Sequence, residues 1–283
     1  MELDPEQGIL RVLERRTALR RPAADGIGHQ ILAANIDLVM IVLSVDHGFN
    51  AKALERFVVM SWDSGAEQLV VLSKADLADD LEGALVAARA AAPDHEILVT
   101  SAFDGRGLPE LRERLKAGVT ATMFGPSGAG KTSLLNALEH RDELVGEVDR
   151  FGEGRHTTTT RRLYTLASGG VLLDLPGIRS LDVAATPEAI DDTFSDITAL
   201  SAQCRFRDCA HDREPGCAVS AAVAAGELDP ARLKRFRELH AEAASREQRS
   251  DPAKRAASRA EFKRLTKEAK QLAKQTKPKR PSD

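Results

Sequence analysis

The stretch MFGPSGAGKTSLLN, residues Met123–Asn136, decides the fold because it holds the complete pattern Gly-x-x-x-x-Gly-Lys-Thr. The apolar residues that lead into it predict a strand, and Thr132–Glu139 predicts a helix that leaves it. Between a strand and a helix, the pattern is typical of a loop whose backbone N–H groups surround nucleotide phosphates. Lys131 would reach the β- and γ-phosphates, and the Thr132 hydroxyl would bind Mg²⁺. The predicted phosphate-binding residues are Gly125, Pro126, Ser127, Gly128, Ala129, Gly130, Lys131, Thr132 and Ser133.

A second motif, DLPG, ends the apolar run VLLDLPG and supplies the acidic group that a Mg²⁺–nucleotide site needs. Asp174 at a strand end can hold the metal, directly or through water. The N–H of Gly177 can contact the γ-phosphate and serve as a hinge. Alone, this pattern also fits an ordinary turn, but its place behind a phosphate loop favours the nucleotide interpretation.

The polar segment GRHTTTT ends at Thr160 and lies between these two motifs. A threonine hydroxyl in it can coordinate Mg²⁺ only while the γ-phosphate is present, which would make the segment a switch. We expect Thr158 to be that residue. The alternative is a polar loop with no part in binding, and only its position between the other motifs favours the switch.

Guanine recognition needs a carboxylate that accepts hydrogen bonds from N1–H and the exocyclic amine of the base. The sequence SKAD follows a predicted buried strand and offers Asp76 as that carboxylate, with the Lys74 stem over the base. The next predicted strand ends in Ser-Ala, whose backbone N–H can bond the guanine O6. Each pattern is common in loops, but together and in this order they predict a guanine site. Its predicted residues are Ser73, Lys74, Ala75, Asp76, Ser101 and Ala102.

The order of the motifs differs from that of most GTPases, in which the phosphate loop and the switches precede the base motif. Here the base motif comes first, so we predict a circularly permuted G domain. Buried runs such as Leu38–Val45 alternate with helical stretches such as Ala51–Trp62, a pattern typical of a parallel sheet in the α/β class. Such a permutation is tolerated where the native termini lie close together.

All three cysteines of the chain lie in one polar segment, CRFRDCAHDREPGC. Cys204, Cys209 and Cys217, together with His211, supply three thiolates and an imidazole, the ligand set of a tetrahedral Cys₃His zinc site. Four protein ligands leave no open position, so we predict one structural zinc ion. The alternative is three buried cysteines beside an unrelated histidine.

Charge and hydropathy limit the classes of partner. From Arg246 to Asp283 there are 13 Lys and Arg against 5 Asp and Glu, although the net charge of the chain is −3. A basic tail on an acidic body predicts a polyanionic partner, and a solvated helix rich in ion pairs is the alternative.

The longest apolar run, Leu38–Val45, is too short to cross a bilayer, and the N-terminus lacks the apolar core of a signal peptide. Because clustered cysteines are typical of a reducing compartment, we expect a cytoplasmic protein with no membrane partner.

The permuted order, with GRHTTTT, DLPG and CRFRDCAHDREPGCAV, resembles the ribosome small subunit-dependent GTPase family RsgA (YjeQ/EngC) over about Gly8 to Ala244. The resemblance implies a late assembly factor that binds GTP and GDP and contacts the 30S ribosomal subunit and its 16S rRNA. It implies hydrolysis stimulated by that subunit, followed by release once the decoding region is mature. It also implies that His156 orients or deprotonates the attacking water, with Lys131 and Thr132 as further catalytic residues.

Four segments are expected in a monomeric protein. They are a partial OB-fold remnant at 1–30, the circularly permuted G domain at 31–182, a helical zinc-binding domain at 183–245, and a basic helical or disordered tail at 246–283. Family members normally begin with a complete OB barrel, and the residues before Ile31 match only its end. We therefore expect a truncated domain or a start further upstream.

At two positions the sequence differs from the family pattern in ways that should affect nucleotide affinity and the rate of hydrolysis. Ser73 stands where Asn is commoner, which we expect to cost a contact to the base and its neighbouring loop and to lower affinity. Ile178 stands where many GTPases have a Gln that orients water, so a slow intrinsic rate is expected. The competing hypothesis is an RNA-binding scaffold with nucleotide as a fixed ligand. SKAD and Ser-Ala disfavour an ATPase or small-molecule kinase.

Overall fold

The computed structural model describes residues 2–4, 8–11, 14–22, 29–139, 162–175, 186–212 and 214–250. They form a six-stranded sheet with helices on both faces, two separate two-stranded sheets and a helical unit. The strands are β1 Glu2–Asp4, β2 Gly8–Arg11, β3 Ala18–Pro22, β4 His29–Ala34, β5 Leu38–Ser44, β6 Glu67–Ser73, β7 Glu96–Val99, β8 Thr120–Phe124, β9 Arg162–Thr165 and β10 Val171–Asp174. The helices are α1 Ala51–Trp62, α2 Leu81–Ala91, α3 Leu108–Arg114, α4 Lys131–Glu139, α5 Pro187–Thr193, α6 Ser195–Ser201, α7 Ala218–Ala225 and α8 Pro230–Ser250, with a 3₁₀ turn at Ala75–Leu77.

The six-stranded sheet has the order β7-β6-β5-β8-β10-β9, and only β9 runs antiparallel to its neighbour. The strand before the phosphate loop, β8, pairs with β5 from Leu38 opposite Ala121 to Ile41 opposite Phe124. Strands β5–β7 thus lie on one side of that junction and β8–β10 on the other. The predicted α/β class and parallel sheet are confirmed.

Strand β5 shows why continuous apolar runs in the sequence predicted the strands of this sheet. Its side chains alternate between two hydrophobic cores, because successive residues of a strand point to opposite faces. Val39 and Ile41 lie in the core that α1 and α2 cover, whereas Leu38, Met40 and Val42 lie in the core that α3 and α4 cover. A strand buried on both faces reads as a continuous apolar run.

The apolar residues of the N-terminal stretch GILRVLERRTALRR favour one short β-like piece, but the structure differs. That stretch contains two strands, β2 and β3, which belong to different sheets, and β3 pairs with β4. Leu19, Leu32 and Ala33 are buried in the core under α1. The piece therefore packs on the sheet domain through Leu19, and the predicted boundary at residue 31 falls within β4.

Helices α5–α8 enclose a third hydrophobic core, whose largest members are Phe194, Ile197, Leu233 and Phe236. Val59 of α1 belongs to the same core, so this helical unit packs directly on the sheet domain. At the start of helix α8 the Asp229 carboxylate accepts from the N–H of Ala231 at 2.8 Å. The helix continues to Ser250, past the predicted boundary at 246. None of the described helices is long and apolar enough to span a bilayer.

One buried carboxylate joins the two units. Glu55 of α1 is fully buried, and both its oxygens accept from arginines of α8. Arg232 donates to one oxygen at 2.8 Å, and Arg235 donates to both. Arg232 also holds Asp196 of α6 through two further bonds, at 2.8 and 2.9 Å. The charges are thus paired on every side, which a buried ion network requires.

We predict that Glu55→Ala destabilises the protein by about 3–5 kcal/mol, because it leaves two guanidinium groups without their buried counter-charge. Denaturant unfolding of the variant and the wild type measures the difference. Glu113→Ala, on the exposed face of α3, is the matched control and should change stability by less than about 0.5 kcal/mol. A loss below about 1 kcal/mol at Glu55 would contradict the assigned network.

Candidate functional site

The predicted nucleotide-binding residues lie at one edge of the sheet. The parallel strands β5, β6, β8 and β10 all end there, and the phosphate loop and SKAD follow two of them. Ligands of open α/β sheets bind outside the carboxyl ends of the strands. The fold therefore brings the two separated halves of the predicted site together.

The phosphate loop lies so close to β5 that its first position can only be glycine. Gly125 has φ +148°, and a Cβ atom on it would lie 2.0 Å from the carbonyl oxygen of Val42. Gly128 and Gly130 both have φ +77°, in the left-handed region that other residues rarely adopt. The glycine pattern of the motif is thus required by the backbone path and by contact with the other half of the site.

Lys131 and Thr132 begin the helix that leaves this loop. The Lys131 ammonium donates to the carbonyls of Gly125 and Pro126 at 2.7 and 2.6 Å, so its side chain folds over the loop. Thr132 is exposed and Ser133 is half-buried in the first turn of α4. The N–H groups of this first turn and the adjoining cation favour an anion in front of the loop.

Ser73 ties the base motif to the phosphate loop. Its buried hydroxyl donates to the carbonyl of Ala129 at 2.6 Å. The expectation that Ser73 costs a contact to the neighbouring loop is wrong, because the short hydroxyl reaches that loop directly.

The rest of SKAD is held by the neighbouring strands. Lys74 has left-handed backbone angles, φ 58° and ψ 39°, and its ammonium donates to Asp46 at 2.6 Å. The N–H of Ala75 donates to the carbonyl of Thr100, which precedes the Ser-Ala motif. Asp76 is exposed in the 3₁₀ turn at this edge, so its carboxylate is open to a ligand.

The Ser-Ala motif forms a tight loop beside SKAD. Ser101 is fully buried, and its hydroxyl accepts from the N–H groups of Phe103 and Asp104, at 3.1 Å each. Ala102 is half-buried against the core. This bonding fixes the path of the backbone that was predicted to face the guanine O6.

The acidic motif is only partly within the described residues. Asp174 ends β10 and is half-buried. The Thr122 hydroxyl of β8 donates to the carbonyl of Leu173 at 2.8 Å, which holds Asp174 beside the strand that enters the phosphate loop. The predicted positions His156, Thr158 and Gly177 lie outside the described residues.

The predicted metal ligands converge in the helical unit. The Sγ atoms of Cys204, Cys209 and Cys217 and a ring nitrogen of His211 all lie within 4.8 Å of one another. Sulfur–sulfur and sulfur–nitrogen edges of a tetrahedral zinc site are about 3.8 and about 3.6 Å, given the usual bond lengths. The Cys204 and Cys217 sulfurs are 3.9 Å apart, and they lie 3.6 and 3.5 Å from His211 Nδ1. The residues fit a tetrahedral zinc ion.

A serine orients the histidine of this cluster. The Ser201 hydroxyl donates its one hydrogen to the carbonyl of Ile197 at 2.8 Å, so it accepts from His211 Nε2–H at 3.0 Å. That bond places the ring hydrogen on Nε2 and leaves Nδ1 free to bind a metal.

The thiols of the cluster differ in acidity. Burial opposes ionisation of Cys217, but hydrogen bonds from Ser220 to its sulfur outweigh burial and lower the pKa of this thiol to about 6. Burial raises the pKa of Cys209 to about 11, and the neighbouring sulfurs add to the rise. Without a metal, one thiolate forms first and makes the next harder to form, so a bound cation must supply the charge that stabilises three.

The model of the RsgA GTPase family matches residues 12–184. The chain belongs to the RsgA GTPase family. Small ribosomal subunit biogenesis GTPase RsgA of Opitutus terrae is 40% identical over 90% of this chain and 70% of its own length. The protein of that name from Streptomyces coelicolor is 42% identical over 89% of this chain and 70% of its own length.

Two solved structures share the fold of this RsgA-family chain. YjeQ from Thermotoga maritima has a TM-score of 0.61 and 32% identity, and the match covers 83% of this chain and 77% of that one. YloQ, described as a circularly permuted GTPase, has a TM-score of 0.60 and 28% identity over 87% of this chain and 78% of that one. The predicted family, the circular permutation and the GTP-hydrolysing activity are confirmed.

Three features of this RsgA-family chain escaped sequence reasoning. No motif surrounds Ser201, which precedes Cys204 by one helical turn. Glu55 is one of three charged residues in α1, beside Lys52 and Arg56, and its partners lie on α8. Asp46 follows a buried strand that ends at the same edge of the sheet as SKAD. This position was the only feature of the sequence that could have indicated a role for Asp46 in the site.

Proposed function

We propose that this protein is a GTPase of late small ribosomal subunit maturation, whose hydrolysis the 30S subunit stimulates and whose release that hydrolysis drives. The observation that carries the proposal is the bond from Ser73 to Ala129, by which a guanine motif and a phosphate loop form one site. Family membership and the names of the curated relatives, small ribosomal subunit biogenesis GTPase, support the biological role.

In the proposed site, Asp76 accepts from guanine N1–H and its exocyclic amine, and the Ser101-Ala102 backbone donates to O6. The phosphate loop surrounds the phosphates, and Lys131 moves from the loop carbonyls onto the β- and γ-oxygens. Thr132, Thr158 and Asp174 would hold Mg²⁺, which would neutralise charge on the γ-phosphate. Gly177 donates to the γ-phosphate.

Water activation is assigned to His156. The residue after Gly177 is Ile178, whose apolar side chain cannot orient water. His156 belongs to the threonine-rich segment and can orient or deprotonate the nucleophile when the subunit is bound. A slow intrinsic rate and a large stimulation both follow from this arrangement.

The helical unit offers a surface for 16S rRNA. Arg205, Phe206 and Arg207 are exposed between Cys204 and Cys209, and the Arg205 guanidinium lies 5.5 Å from the centre of the Phe206 ring. An exposed aromatic ring flanked by guanidinium groups suits both stacking on unpaired bases and phosphate contact. The basic tail would add charge to this contact. We place this activity in the cytoplasm and assign it to a monomer.

We propose that the cysteine cluster holds one zinc ion, which fixes this turn and has no catalytic part. Purified protein should contain one zinc per chain. His211→Ala should weaken zinc binding by more than about 100-fold, and Ser201→Ala by about 10- to 100-fold, the usual cost of losing the partner that orients a ligand. Metal analysis and competition with a chelator measure both.

His47→Ala is the matched control for these variants, because the side chain of His47 is exposed and is not part of the cysteine cluster. It should leave zinc content unchanged. Wild-type binding of zinc by His211→Ala would contradict the ligand assignment.

Turnover of GTP, with and without purified 30S subunits, tests the proposed function. We expect slow turnover alone and strong stimulation by the subunits, with no comparable turnover of ATP. His156→Ala should lower the stimulated kcat by about 100-fold or more, whereas His47→Ala should not. Tight GTP binding without any stimulation would instead support the scaffold hypothesis.

A further inference from the structure

The side chain of Lys74 is fixed at both ends, which is unusual for a lysine next to a ligand site. At one end its backbone holds left-handed angles, and at the other its ammonium donates to Asp46 Oδ2 at 2.6 Å. Asp46 lies beyond the end of β5, whereas Lys74 follows β6. The side chain therefore spans two adjacent strands at the nucleotide edge of the sheet.

The stem of Lys74 passes beside Gly130 of the phosphate loop. A methyl group placed on Gly130 would lie 3.7 Å from Cγ of Lys74 and 3.8 Å from its Cε. These are van der Waals distances, so the methylene chain lies about one methyl group away from the loop at Gly130. The surface it makes joins the base half of the site to the phosphate half.

The side chain of Asp46 is largely buried, so solvent weakens its ion pair with Lys74 only in part. Its side chain is 11% exposed, and that of Lys74 is 31% exposed. A lysine stem has about 2 kcal/mol of rotamer entropy to lose on ordering, so a stem that is already ordered binds a ligand at lower cost.

The charge state of Asp46 suits this contact. Partial burial opposes ionisation, but hydrogen bonds from Lys74 and from Ser44, with the charge of Lys74, outweigh it and lower the pKa of the carboxyl. Asp46 is thus a carboxylate throughout the neutral range. His47 lies 3.9 Å from the same oxygen, but its side chain is 93% exposed.

We propose that Asp46 is a positioning residue of the nucleotide site, which holds the Lys74 stem in place as the floor for the guanine base and ribose. This inference rests on the proposed function of the site as a guanine-nucleotide site. Asp46 itself contacts no nucleotide in this assignment; it acts only through Lys74.

The test is a double-mutant cycle on affinity for a fluorescent GDP analogue. Asp46→Asn keeps the shape of the side chain and removes its charge, and should weaken GDP binding by about tenfold, mainly by faster dissociation. Lys74→Met keeps an apolar stem without the ammonium. In the Lys74→Met background, Asp46→Asn should have no further effect, because Asp46 then has nothing to hold.

The kcat for GTP at saturating substrate separates positioning from a general structural role. It should be unchanged in Asp46→Asn while KM rises, because the phosphate loop and switches are intact. Asp79→Asn, at an exposed aspartate on the loop after SKAD, is the matched control and should leave both unchanged.

Each outcome decides the proposal. Equal weakening by Asp46→Asn in both backgrounds would overturn it, because Asp46 would then act independently of Lys74. Tighter GDP binding by Asp46→Asn would overturn it too, since Asp46 would then compete with the ligand for Lys74. Failure of the wild type to bind GDP would instead contradict the proposed function itself.

Discussion

The contact of Gly125 with β5 is the constraint on which the nucleotide site depends. There is no room for a side chain between the phosphate loop and the carbonyl of Val42. This contact and the β5–β8 pairing hold the two halves of the site together. Neither depends on which half comes first in the chain, because both are non-covalent contacts between the halves. The permuted order therefore changes the connections of the G domain and leaves the edge of its sheet intact.

The same half of the sheet domain also carries the link to the metal-binding unit. Helix α1, which covers β5, provides Glu55 to Arg232 and Arg235, and Val59 to the core of the helical unit. The cysteine cluster lies in that core through Cys217. A movement of the helical unit relative to the sheet domain would therefore carry α1 with it or break this buried ion network.

The sequence allowed the strands of the sheet to be predicted because burial on both faces leaves a continuous apolar run, as in β5. The phosphate loop and the metal cluster were also predictable, because their chemistry requires particular residues at short spacing. The bond from Ser73 to Ala129 was not, because it joins residues 56 positions apart and depends on the sheet order. Glu55 was missed for the same reason, since its arginine partners lie 177 and 180 residues away. In the N-terminal segment the alternation is weak, and two strands were taken as one.

We infer that SKAD, which precedes the phosphate loop in the sequence, recognises the guanine base in this site. The most direct test is kcat/KM for GTP and for XTP in the wild type and in Asp76→Asn. An Asn amide cannot accept both guanine hydrogens but can donate to the xanthine O2. We predict that kcat/KM for GTP falls about 100-fold or more in the variant, and that the variant prefers XTP. An unchanged preference for GTP in a folded variant would contradict this inference.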